Sequence, residues 1–112
     1  MSVEERRLRS RIAKLVSSQP ILHGTILDRK RKCCRPTCAC ATDPDKRHPA
    51  MYVFLSDGAG KKVRRLYVRR EWQDQVRQWV ANDRELRRLS RELSDLYWKK
   101  AREQHAGGSR PE

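Results

Sequence analysis

The chain is poor in the residues that build large cores. Seven of its 112 residues are aromatic (three Trp, three Tyr, one Phe) and 37 % are hydrophobic, so a single small domain is expected rather than two. No stretch approaches the roughly 18 apolar residues that a membrane span requires. The opening Met-Ser-Val-Glu-Glu-Arg-Arg has no apolar h-region, so no secretory leader is expected and the chain is assigned to the cytoplasm. Paired carboxylates, a Ser/His/Asp set and a glycine-rich phosphate loop are all missing, and an enzyme is not expected. Acidic residues are scarce as well: 14 Asp+Glu stand against 27 Lys+Arg, a net charge of +13. Such a balance points to a polyanion as partner, most often nucleic acid.

The excess charge is uneven. Residues 19–50 hold seven basic and three acidic groups, and residues 51–70 hold six and one, whereas residues 71–112 are almost balanced at nine and eight. The cationic middle surrounds the most informative stretch, Lys32 to Pro49 (KCCRPTCACATDPDKRHP), which holds all four cysteines. Cys33, Cys38, Cys40 and His48 follow a C-x4-C-x-C-x7-H spacing, with Cys34 beside the first. Three thiolates and an imidazole are what a structural Zn2+ takes, four at a time and tetrahedrally. The Thr42-Asp43-Pro44-Asp45 turn would return His48 to close the site. Disulfides are disfavoured by the expected reducing compartment and by the strain of a C-x-C pair. Merely packed thiols are disfavoured by the Lys, Arg and Asp that flank the cysteines. A catalytic thiol lacks an activating base. With four protein ligands, zinc would keep no open position for water.

Along the chain, Ser2 with Glu5 has the form of a capping box. Leu8, Ile12, Leu15 and Val16 make one helical stripe that ends before Pro20. Ile21 to Lys32 reads as a strand in which Gly24 marks a bulge or a close backbone approach. Ala50–Ser56 and Lys61–Val68 read as a hairpin joined by Asp57-Gly58-Ala59-Gly60. Tyr52, Phe54 and Tyr67 are assigned mainly to the core, because the chain has so few aromatics. From Arg69 the period becomes helical. Trp72 and Trp79 are expected to seat this helix on the sheet, and Asn82 with Glu85 offers a possible break. At 1.5 Å per residue the helix outruns the sheet. Its leucines therefore need the N-terminal helix, a second copy or another protein. His23 and His105 are read as non-ligands, and the tail from Gln104 as disordered.

The order of these features is a strand with an internal glycine, a basic Lys-Cys, Pro-x-Cys-x-Cys-Ala, His-Pro before a Tyr-bearing strand, a Gly-Lys hairpin, Tyr-Val, and a long Arg/Glu/Leu helix. It resembles a family of short prokaryotic proteins catalogued as a domain of unknown function and often encoded near mobile genetic elements. The resemblance spans roughly Leu22 to Leu96 and rests on Gly24, Cys33, Pro36, Cys38, Cys40, His48, Tyr52, Leu55, Lys61, Tyr67, Val68 and Trp79. Where the family has glycine after the first cysteine this chain has Cys34, and the family's Gly-Pro-Tyr is reduced to Pro49-Ala50-Met51-Tyr52. Both Cys33 and Cys34 therefore stay open as the first ligand. The resemblance supports the metal site and the architecture, implies an accessory or regulatory role at a mobile element, and assigns no activity.

The expectation is an α+β fold. It comprises an N-terminal helix (1–18), a small three-stranded antiparallel sheet with a zinc knuckle between strands 1 and 2 (20–69), a long C-terminal helix (70–104) and a tail (105–112). The expected function is non-catalytic binding of DNA or RNA. Arg29, Lys30, Arg31, Lys32, Arg35, Lys46, Arg47, Lys61, Lys62, Arg64 and Arg65 would supply the phosphate-binding surface. The alternative is a protein-interaction module within a nucleoprotein complex, docking a homodimer mate or another protein through Leu86, Leu89, Leu93 and Leu96.

Overall fold

The structure, a computed structural model, describes residues 2–33, 35–56 and 63–105. Cys34, the expected glycine-rich connection with Lys61 and Lys62, and the tail from residue 106 lie outside the described residues. In chain order the elements are α1 (Val3–Ser18), β1 (Thr25–Arg31), 3-10 turns at Ala39–Ala41 and Pro44–Lys46, β2 (His48–Ser56), β3 (Val63–Val68), a 3-10 turn at Arg70–Trp72, and α2 (Gln73–His105). This is the expected α+β architecture: a sheet in the order β1-β2-β3, both pairs antiparallel, with a Cys/His loop joining the first two strands. The chain falls into two compact units, Leu22–Val80 and Met1–Ile21 with Ala81–Glu112. No described helix is long and apolar enough to cross a membrane.

In the sheet unit the register separates two faces. Residues directly opposite each other share a side. Ile26, Met51, Val53 and Val68 therefore lie on one face, and Leu27, Tyr52, Phe54 and Tyr67 on the other. The first face is the buried one. Met51, Val53 and Val68 form the core with Val76 and Val80 of α2, backed by Leu22 and Ile26. Each such side chain contributes roughly 2 kcal/mol when buried. The aromatics assigned to the core are on the opposite side: Tyr67 is 45 % exposed, and Tyr52 and Phe54 are half-buried. The tryptophans beside β3 are not part of the buried core. Trp72 is 52 % exposed and Trp79 half-buried, and the compact valines one helical turn apart take that place.

Gly24 is explained by close approach. A Cβ there would stand 2.8 Å from Val53 Cγ2 and 3.3 Å from the Phe54 carbonyl oxygen. Strand pairing begins one residue later, at Thr25 opposite Phe54. Upstream, the Leu22 N–H donates to the Trp79 carbonyl at 3.2 Å and is taken by the helix instead of a strand.

The helical unit pairs α1 with the later turns of α2. Ser2 caps α1, its hydroxyl accepting from the Glu5 N–H at 3.1 Å. Leu8 and Leu89 are buried. Contacts run antiparallel: Glu5 meets Tyr97 and Lys100, Arg11 meets Glu85 at 3.2 Å, and Asn82 Nδ2 donates to the Pro20 carbonyl at 3.0 Å. That last bond uses the side chain that would have capped a second helix, and α2 runs on without a break through His105. Gln104 and His105 thus belong to the helix, not to the tail.

The acidic partner of the capping box does something the sequence does not suggest. The Glu5 side chain is 2 % exposed, and its carboxylate accepts from Lys100 Nζ (2.7 Å), Arg9 Nε (3.0 Å) and the Tyr97 hydroxyl (3.1 Å). Lys100 first, then Arg9, hold its pKa at about 2 against the ordinary 4.5, outweighing burial.

Candidate metal centre

The centre is built on one rung of the sheet. Arg31, the last residue of β1, pairs with His48, the first of β2. Cys33 therefore leaves the sheet beside the point where His48 enters it. Between them the chain makes two tight turns. The Cys38 N–H donates to the Arg35 carbonyl (3.2 Å), the Ala41 N–H to Cys38 (3.1 Å) and the Asp43 N–H to Ala39 (3.0 Å). Asp43 Oδ1 then accepts from the Asp45 N–H at 3.0 Å, with Pro44 opening the second turn. An aspartate-capped, proline-started turn returns the chain within a few residues, which is the role the sequence reading gave to Thr42–Asp45.

These turns bring the Sγ atoms of Cys33, Cys38 and Cys40 and a ring nitrogen of His48 to within 4.8 Å of one another. Cys33 Sγ and Cys40 Sγ are 3.3 Å apart, and Cys38 Sγ lies 3.3 Å from His48 Nε2. A disulfide needs about 2.05 Å, so the cysteines are free thiols. Around a metal at about 2.0–2.3 Å from each ligand, tetrahedral geometry sets ligand–ligand separations near 3.5–3.8 Å. The cluster fits a metal ion. Cys33 takes the place of first ligand in it; its neighbour Cys34 is outside the described residues.

Hydrogen bonds and burial shift the three thiols in different directions. The Arg35 backbone N–H, then the Cys40 sulfur, draws Cys33 below the ordinary thiol value. The Cys40 backbone N–H, then His48, does the same for Cys38. The Cys33 backbone N–H, which donates to Cys40 Sγ at 3.3 Å, pulls Cys40 down, but burial and the two neighbouring sulfurs push it up overall. Three sulfurs facing one point suit a divalent cation, which would favour the thiolate at all three.

The described basic residues are divided between the two faces of the sheet and the metal loop. Arg29, Arg31 and Arg65 lie on the aromatic face of the sheet, whereas Lys30 and Arg64 lie on the side that carries the core. Lys32, Arg35 and Lys46 are exposed on the metal loop. Arg47 is half-buried, and its Nε is enclosed without a hydrogen bond. Of the leucines considered for docking, Leu89 is 1 % exposed within the helical unit, and Leu86, Leu93 and Leu96 are half-buried. Sequence reasoning missed the bidentate pair of Arg77 with Asp28 (2.6 and 3.3 Å). Its signal was available, since Asp28 is the one acid in the described strands.

Fold and site together define a small α+β protein with a Cys3His centre able to hold a metal ion, framed by the first two strands of a sheet. The chain belongs to the family described as a domain of unknown function (DUF6788), whose model matches residues 4–78. No curated protein and no solved structure matches it.

Proposed function

We propose that this is a small zinc-binding protein that binds nucleic acid and performs no chemistry on it. The metal would be Zn2+ held by Cys33, Cys38, Cys40 and His48, because three soft sulfurs and one imidazole favour zinc over harder cations. With four protein ligands the metal's part is structural: it fixes the loop that carries Lys32, Arg35 and Lys46 at the end of the strand that carries Arg29 and Arg31. The observation that carries the reading is the meeting of that Cys3His cluster with the cationic end of β1 on the Arg31–His48 rung. The net charge of +13 supports a polyanion as partner. Reduced thiols suit the cytoplasm.

Binding of labelled duplex and single-stranded oligonucleotides across a salt series tests this. Neutralising about six phosphates gives a log–log slope near −5 on duplex DNA. A slope shallower than about −2, or retention of a protein partner after nuclease treatment with no oligonucleotide binding, would refute it in favour of protein docking.

A further inference from the structure

We infer that the open face of the sheet is a stacking platform for single-stranded nucleic acid, with Tyr52 and Tyr67 as its centre. The inference rests on the nucleic-acid reading above and specifies which form of polymer that site takes.

Three of the chain's seven aromatics are on the side of the sheet away from its core. Valines and one methionine fill the core, so these rings are not needed there. Tyr52 and Tyr67 are directly opposite on neighbouring strands, with ring centroids 5.6 Å apart and planes inclined at 65°. Arg31 braces the pair. Its guanidinium lies 5.1 Å over the Tyr67 ring, and its Nη1 donates to the Tyr52 hydroxyl at 3.3 Å. Phe54 extends the aromatic row one step along β2, beside Arg65.

The charge on this face is of one sign. Arg29, Arg31 and Arg65 flank the rings, and none of the described strand residues on this side is acidic. Asp28 is on the other side, tied to Arg77. Partly exposed rings bordered by guanidinium groups match unstacked bases joined by phosphates. A duplex hides its base faces and could use only the charges.

The test is fluorescence anisotropy with oligo(dT), oligo(U) and a duplex, each of about 12 nucleotides or base pairs. Wild type is compared with Tyr67→Leu, which keeps an apolar strand residue, and with Tyr67→Phe, which keeps the ring. Tyr67→Leu should weaken single-strand binding about tenfold, leave duplex affinity and the salt slope unchanged, and be rescued by Tyr67→Phe. Binding of either sugar with this pattern supports the platform, and the ratio of oligo(U) to oligo(dT) affinity reports contact with the 2′-OH. If Tyr67→Leu is silent, or weakens single strand and duplex alike, the platform is wrong while nucleic-acid binding stands. If wild type binds none of the three at low salt, both readings fall.

Discussion

Stripping the metal should melt the loop and spare the rest of the fold. Between Cys33 and Arg47 the only described residue that is buried is Cys40. Ordering about 15 backbones costs roughly 15 kcal/mol at the low end of the usual range. One small buried side chain returns about 1 kcal/mol, and each turn hydrogen bond a net of about 1 kcal/mol. Nine such bonds join described residues of the loop, so without a metal the loop falls short by several kcal/mol. A structural zinc supplies roughly 10–16 kcal/mol, enough to order the loop with a few to spare. Hydrogen exchange read by mass spectrometry, before and after a chelator, measures this directly. The segment from Lys32 to Arg47 should pass from protected to exchanging within seconds, while β2, β3 and α2 keep their protection. Elemental analysis should find one zinc per chain, and His48→Ala should reproduce the chelated pattern. Protection of the loop that survives complete removal of metal would refute the reasoning.

Two further outcomes follow from contacts away from the metal. Gly24→Ala should destabilise the sheet unit by roughly 1–3 kcal/mol in urea unfolding, because its Cβ would press on Val53 Cγ2 at 2.8 Å; an unchanged midpoint would mean that the close approach is not real. The Glu5 carboxyl titrates at about 2 when folded and near its ordinary 4.5 when unfolded. Its contribution to stability is therefore complete above about 4.5 and is lost as pH falls towards 2. Glu5→Gln should flatten that acid limb in circular-dichroism melts, and an identical limb in wild type and variant would overturn the assignment.

Much of this was readable because the signals were local. The Cys-x4-Cys-x-Cys-x7-His spacing needed only one aspartate-proline turn to close, and Ser2 needed only the N–H of Glu5. Alternation in β2 and β3 separated Tyr52, Phe54 and Tyr67 from Met51, Val53 and Val68, but alternation is symmetric. It does not say which face meets the helix. The assumption that scarce aromatics must be inside chose the wrong one. Asn82 looked like a helix cap until a backbone carbonyl 62 positions away claimed it. The partners of the buried Glu5 carboxylate could not be read, since Tyr97 and Lys100 lie 92 and 95 residues downstream.

The position of β1 has one more consequence. Among the described strands it forms one margin of the sheet, and its last three residues read Arg-Lys-Arg. Bare margins of this kind invite the strands of neighbouring molecules and seed aggregates, and like charges placed along them are a common safeguard. Two copies approaching rim to rim would meet with six cationic side chains confronting one another. The residues that would attract a polyanion would thus also disfavour pairing of two copies along this margin.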